Sequence, residues 1–369
     1  MKTLVIGGTG PTGPHIVNGL LSRGHQVSIL NRGAHDTDEI PAHVERIVGD
    51  PHFKETLSDA LAGRHFDVIV ATYGRIRYVA EVVAEHTDRL ITVGGSPGYR
   101  GTRQPERLFP EGLQVPLPED APKVETEDEF RFGYLARISE DAVMDRHLAG
   151  RYVATHLRYP LIYGPRQLGP TEWWIIRRLL DKREHMVLPD GGLTLLSRGY
   201  SINMAHAVLL SVDQPENAGG KIFNCADVHQ LTMRQWVQTI ADTMDAKLDI
   251  VSVPAEFAYP SRDLMIRRTN SHHQLFDLHA IRKDLGYEDQ VPVLEALQRT
   301  VRWYLDNPVE ETPEQKAEYA AHYRTEDDMA AIYKDAVARF SKVDFVDKEF
   351  SHPYAHPKKP GLGVDHRNR

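Results

Sequence analysis

Apolar residues in this chain recur with two periods that take turns between residues 3 and 157. Leu4-Val5-Ile6 is a short apolar run that ends in glycines, and beyond it Ile16, Val17, Leu20 and Leu21 share one helical face until Gly24 interrupts the pattern. That predicts a strand, a tight turn and a helix. Further strands are predicted over 26–30, 44–48, 67–71, 90–93 and 152–157, with helical spacing over 57–61 and from 127 to about 148. Strands alternating with helices build a parallel sheet covered on both faces, so the expected fold class is α/β, a doubly wound parallel sheet.

The rhythm lapses from Tyr99 to about Asp128, where Pro105, Pro110, Pro116, Pro118 and Pro122 are interspersed with charges. A segment this long beside a sheet's carboxyl edge is either a lid or substrate wall, or a surface insertion without a role. After Tyr163-Gly164-Pro165 the texture changes, with Trp173-Trp174, a turn at Pro189-Asp190-Gly191-Gly192 and a helix over 231–244. From Pro313 to Val343 the composition is helical, and Ala320, Tyr323, Met329, Ile332, Tyr333, Val337 and Phe340 give it an apolar stripe. That stripe permits a homodimer without requiring one. The end, His352-Pro353-Tyr354-Ala355-His356-Pro357, reads as solvated tail rather than a metal site.

Composition narrows the function. Charged residues make up 26% of the 369, and no apolar run approaches the ~20 residues of a membrane helix. No signal peptide is visible after Met1, which makes a cytoplasmic location the expectation. Cys225 is the only cysteine, so intrachain disulfides and multi-cysteine metal sites are excluded, and its apolar neighbours suggest a buried structural thiol. A net charge of −8 argues against nucleic acid as the main partner and leaves a small molecule as the expected one.

The densest chemistry lies in Gly7-Gly8-Thr9-Gly10-Pro11-Thr12-Gly13, between the first strand and its helix. Gly7 permits the turn, Gly10 lets backbone approach a pyrophosphate, and Gly13 lets helix and strand pack closely, with Thr9, Pro11 and Thr12 beside the anion. This implies a dinucleotide. The second strand ends in Asn31-Arg32, where an NAD site usually carries an acid; neutral Asn31 and cationic Arg32 favour NADP(H) over NAD(H). Asp50, after the third strand, either accepts from the adenine amino group or stabilises its own turn. Ala71-Thr72-Tyr73 ends the fourth strand at the lip of the same crevice.

With Val68-Ile69-Val70-Ala71, Leu157-Arg158-Tyr159-Pro160, Tyr163-Gly164-Pro165-Arg166, Phe223-Asn224, and Asp284-Leu285-Gly286-Tyr287 leading to Val301-Arg302-Trp303-Tyr304, the chain from residue 3 to about 308 resembles an extended short-chain dehydrogenase/reductase of the NAD-dependent epimerase/dehydratase superfamily. The resemblance implies a Rossmann domain over 1–165, a mainly substrate-binding subdomain over 166–308 and a helical C-terminal extension over 309–369. It also puts the Tyr159 and Pro160 backbone beside nicotinamide.

The family's chemistry rests on a serine or threonine after the fifth strand and a tyrosine four residues before a lysine. Here the best register places Phe132 and Ala136 at the tyrosine and lysine positions, anchored by Gly133 and Glu140, and puts Gly95 at the hydroxyl position with Ser96 one residue later. In this it is similar to the atypical members, which include chloroplast stem-loop RNA-binding proteins and reductase-like cofactor binders. A rebuilt site is conceivable from Tyr134, Arg137 and Ser96, in which a guanidinium stabilises a phenolate; the alternative is a packed tyrosine and a solvated arginine. Arg166, Glu172, Trp173, Trp174 and the His272-His273 pair are candidates to face substrate, with packing or surface roles as the other reading, and Asn203 is expected to be structural.

The expected function is an NADP(H)-dependent oxidoreductase acting on a carbonyl or hydroxyl of a small organic molecule through a non-standard site. The alternatives are a catalytically silent dinucleotide-binding sensor or scaffold, and a lyase or isomerase with a structural cofactor.

Overall fold

A computed structural model describes residues 1–33, 37–167, 169–265, 269–350 and 360; the histidines of the predicted tail lie outside the described residues. In chain order the strands are β1 (Lys2–Ile6), β2 (Gln26–Asn31), β3 (Glu45–Val48), β4 (Val68–Ala71), β5 (Arg89–Gly95), β6 (Val153–Tyr159), β7 (Leu161–Tyr163), β8 (His185–Pro189), β9 (Arg198–Tyr200), β10 (Lys221–Asn224) and β11 (Asp249–Val253). The helices are α1 (Gly13–Ser22), α2 (Lys54–Leu61), α3 (Ile76–Val82), α4 (Glu127–Leu148), α5 (Thr171–Leu180), α6 (Ser201–Asp213), α7 (Pro215–Ala218), α8 (Met233–Thr243), α9 (His279–Leu285), α10 (Val293–Asp306) and α11 (Pro313–Phe340).

Seven of these strands form one sheet in the order β10-β6-β5-β4-β1-β2-β3, every pair parallel. The chain runs outward from β1 in both directions, so the carboxyl ends of β1 and β4 part at a switch point where a crevice opens. Alternation along β1 decides what each face packs. Leu4 and Ile6 meet α2, α3 and α4 through Leu57, Leu61, Val79 and Val143, whereas Val5 meets α1 and α6 through Ile16, Val17, Met204 and Val208.

The second half of the chain returns to this sheet. β10 extends it beyond β6 with Phe223 opposite Leu157, and α6 supplies much of one covering layer, so residues 201–226 complete the core that the first 165 residues begin. A separate core gathers Trp173, Ile176, Leu188, Trp236, Ile240, Leu297 and Tyr304 from α5, β8, α8 and α10. Two short parallel pairs, β8 with β11 and β7 with β9, lie outside the main sheet. No described helix is long and apolar enough to cross a membrane.

Residues 1–330 make one compact unit and residues 331–369 a second. The predicted apolar stripe of the tail needs correction. In the first unit α11 buries Tyr319 and Glu326, while Ala320 is exposed. Glu326 meets the fully buried Arg178 guanidinium at 3.0 Å, and Tyr319 packs edge-on to Trp174. In the second unit Ile332, Val337 and Phe340 are exposed. Periodicity of apolar residues alone could not reveal a buried face built around a carboxylate.

Candidate functional site

The crevice at the carboxyl end of β1 encloses a cavity of about 360 Å³ whose walls include Gly7, Thr9, Gly10, Pro11, Thr12, Gly13, Asn31, Arg32, Thr72, Tyr73 and Tyr159. The glycine turn forms its floor for steric reasons. A Cβ on Gly13 would fall 2.2 Å from the Gly8 carbonyl, so only glycine lets α1 start this close to the turn. A Cβ on Gly10 would meet nothing within 4 Å, which leaves that backbone bare to a ligand. Thr12 caps α1 without a side-chain bond to the helix, so its first turn faces the cavity with its positive dipole end. A turn of this shape fits a pyrophosphate.

At one end Asn31 turns its side-chain oxygen back to the Gly33 N–H at 2.9 Å and presents no charge. Beside it Arg32 lies 5.8 Å from the centre of the Tyr73 ring and has no ion pair among the described residues. At the other end Val93 and Ile162, not foreseen in the sequence, join Tyr159. The Tyr159 phenol donates to the Met204 carbonyl at 2.7 Å, and burial holds its pKa well above the usual range, so it is a wall and not an acid.

Three expected cofactor contacts are not among the cavity's walls. Asp50 caps its own turn, accepting from the His52 N–H at 3.0 Å, a bond that lowers its pKa. Ala71 is buried in β4, and Pro160 is buried between β6 and β7.

The candidate proton-handling groups lie where α4 packs on the turn after β5, and none of them is among the walls of the cavity. Ser96 lies in a one-turn helix (Ser96–Gly98) that α4 covers, since Gly133 has room only for a hydrogen 2.3 Å from the Pro97 carbonyl. The backbone N of Arg137 lies 3.7 Å from the place a Cβ would take on Gly98. The Arg137 guanidinium sits 5.1 Å over the Tyr134 ring and pairs with Asp141. The hydroxyls of Ser96 and Tyr134 form no hydrogen bond with another described residue. Phe132, at the family's tyrosine position, is 64% exposed.

Behind this surface is a buried charge cluster that the sequence reading missed. Arg158 donates to both oxygens of Glu140 at 2.6 and 2.8 Å, and reaches the Tyr99 hydroxyl and the Glu119 carbonyl. Burial raises the Glu140 pKa, but bonds from Arg158 and the charges of Arg158, His156 and Lys123 outweigh it and leave it at about 2. Burial pushes the His156 imidazole down to about 4 while its Nδ1 bonds the Thr92 hydroxyl at 2.7 Å. The available signal was a charged arginine in a strand of a central sheet, which needs a partner inside the protein.

The remaining candidates have other positions. Trp173 is buried in the second core and donates its indole N–H to Glu311 at 2.7 Å, while Trp174 packs edge-on against Tyr319 and His322, so the structure puts both in packing rather than in the crevice. Glu172 is buried 3.7 Å from Arg198. His272 bonds Glu111 at 3.0 Å and holds the proline-rich segment, and His273 accepts from the Leu195 N–H. Asn203 bridges Asp227 and Val291. Cys225 is fully buried, and burial raises its thiol pKa. Arg166 is in the wall of the crevice itself.

Comparison with known proteins agrees with this geometry. Residues 7–111 match the model of an NAD(P)H-binding family. The chain is 27% identical over 261 residues to a 3-diazoavenalumate denitrifying reductase of a Streptomyces species, covering 67% of this chain and 82% of that protein. It is 21% identical over 270 residues to the 4-hydroxy-2-methyl-3-oxo-4-farnesyl-3,4-dihydroquinoline-1-oxide ketoreductase of Stigmatella aurantiaca, covering 70% and 78%. Two further curated relatives are matched over only 51% and 47% of their length. The structure of dTDP-glucose 4,6-dehydratase from Bacillus anthracis in complex with NAD superposes with a TM-score of 0.65 at 15% identity, over 84% of this chain and 97% of that one. Residues 7–111 thus match an NAD(P)H-binding family, and the chain has a Rossmann fold like that of the solved epimerase, dehydratase and short-chain dehydrogenase/reductase structures it superposes on.

Proposed function

We propose that this protein is an NADP(H)-dependent oxidoreductase that acts on a carbonyl or hydroxyl group of a small organic molecule. The observation that carries the cofactor preference is Arg32, a guanidinium in the crevice wall with no ion pair among the described residues, beside an uncharged Asn31. A 2′-phosphate meets a bidentate cation there, while the nearby Asp50 carboxylate, which feels the Arg32 charge, is engaged by His52. The reductase and ketoreductase among the relatives support the reaction class.

When bound, the nicotinamide supplies or accepts hydride. The chain supplies the rest: the glycine turn and α1 hold the pyrophosphate, and the buried Tyr159 walls the nicotinamide end. Proton exchange falls to the unengaged hydroxyls of Tyr134 and Ser96. Arg137 lies over the Tyr134 ring and pairs with Asp141. Arginine cannot itself relay a proton, so the site works without the family's lysine.

The test is titration of the protein with NADPH and NADH, followed by nicotinamide fluorescence, with Arg32→Ala alongside. Charged hydrogen bonds contribute about 1.5–3 kcal/mol, so the variant is expected to lose roughly tenfold or more in NADPH affinity and little for NADH. Absence of binding by either coenzyme overturns the reading. A screen of carbonyl compounds for NADPH oxidation, repeated with Tyr134→Phe and Ser96→Ala, then tests the two hydroxyls.

A further inference from the structure

Arg166 follows β7 in the turn Gly164-Pro165-Arg166, far in sequence from the glycine turn, yet both line one cavity. Its backbone has φ +63°, a left-handed conformation that residues with a Cβ avoid, so the fold holds this side chain in place against local preference. The guanidinium reaches across to the segment after β2, where it pairs with Glu39 and lies 3.5 Å from Asp38. The Arg166 side chain is 29% exposed, which places it at the mouth rather than in the core.

Charges of both signs surround it. His15, on the first turn of α1, is close enough to feel both Arg166 and Glu39, and burial lowers its pKa, so it adds no positive charge at neutral pH. Among the described residues, the Asp38 and Glu39 carboxylates meet Arg166 at this mouth, and Arg46 lines the adjoining hollow with Arg166 and Asp38. A dinucleotide brings more negative charge to this point, which Asp38 and Glu39 oppose and Arg166, placed in the crevice wall itself, can answer. Partly exposed ion pairs are weak, so exchanging one for another costs little.

We propose that Arg166 is a phosphate ligand of the bound dinucleotide, held by Glu39 and Asp38 beforehand and transferred from them to a phosphate on binding. This rests on the reading of the crevice as a dinucleotide site. It places a second cation opposite Arg32, supplied by the loop after β7 rather than by the β2 end. The acceptor is the pyrophosphate shared by both coenzymes or the 2′-phosphate of NADPH, and the titrations separate the two.

The experiment measures NADPH and NADH affinity by fluorescence at low and high salt for the wild type, Arg166→Ala, Arg166→Lys and Glu39→Gln. Arg166→Ala is expected to weaken binding about tenfold and flatten its salt dependence. Equal loss for both coenzymes assigns the pyrophosphate; loss for NADPH alone assigns the 2′-phosphate. Arg166→Lys recovers part of the affinity. Glu39→Gln is expected to bind more tightly, because it frees Arg166 and removes a repelling charge. A pair that only ties two loops together predicts the opposite, with Glu39→Gln and Arg166→Ala weakening binding alike, and that result overturns the proposal. So does a folded Arg166→Ala with wild-type affinity. Should Arg166→Ala fail to fold, the sign of the Glu39→Gln change decides alone. Failure of the wild type to bind either coenzyme is a different result, which removes the reading of the crevice as well.

Discussion

The Arg158 guanidinium holds Glu140 by both carboxylate oxygens, at 2.6 and 2.8 Å, with each side chain only 5% exposed. Removing Arg158 breaks this buried pair and leaves Glu140 inside the protein with Lys123, at 3.0 Å, as its cationic partner, a loss that costs up to about 3–5 kcal/mol. Arg158→Met is expected to lose stability on that scale in urea unfolding. The double variant Arg158→Met with Glu140→Gln should recover much of it, because no bare charge remains.

The same cluster sets a pH dependence. Glu140 has a folded pKa of about 2 against 4.5 unfolded, and His156 about 4 against 6.5, so both stabilise above the unfolded value and lose that contribution as pH falls. Asp227 has the reverse sign. Burial raises it to about 7, so the folded state binds a proton that the unfolded state has released, and stability rises as pH falls from about 7 toward 3.8. Asp227→Asn removes the opposing contribution. Its melting temperature is expected to fall more steeply than that of the wild type between pH 7 and pH 4, as calorimetry would show; an unchanged slope would refute the assignment.

Gly10 and Gly13 should respond differently to one added methyl group. Gly10→Ala places a Cβ in open space, so melting is expected to stay near wild type while NADPH affinity falls as the backbone loses its approach to the phosphate. Gly13→Ala drives a Cβ to 2.2 Å from the Gly8 carbonyl and is expected to lose stability outright. A single series of melting curves and coenzyme titrations separates ligand contact from close packing.

Trp173→Phe loses the indole donor to Glu311 in a buried site and is expected to destabilise by about 1–2 kcal/mol. Coenzyme affinity should be unaffected, because the residue does not line the crevice. A large change in coenzyme affinity without loss of stability would show that the side chain has a ligand role after all.

Local pattern and long-range placement were unequally legible in the sequence. The helix read over 127 to about 148 is α4, and the predicted strands fall within a few residues of β2 to β6, because periodicity and glycine positions are local signals. The glycine turn and Asn31-Arg32 line one crevice as read, since a strand–turn–helix unit carries its site within itself. Arg158 and Glu140 are 18 residues apart on different elements, and no spacing rule pairs them. Trp173 and Trp174 carried no sign of what they pack against, and the Glu326 face of α11 reversed the usual link between burial and hydrophobicity. Arg166 was singled out as facing substrate, and it lies in the crevice wall; what its guanidinium reaches is decided by the fold of the loop after β7 rather than by local composition.

The return of β10 to the sheet has a consequence for how the molecule is made. A nascent chain that has reached residue 165 has the glycine turn and six of the seven strands of the main sheet, but not β10, the outer partner of β6, or most of the layer over Val5 and Ile16. Until residue 224 emerges, β6 is an open edge carrying Leu157 and Tyr159, a template for unwanted pairing. A fragment cut at 165 is therefore expected to aggregate rather than bind nucleotide.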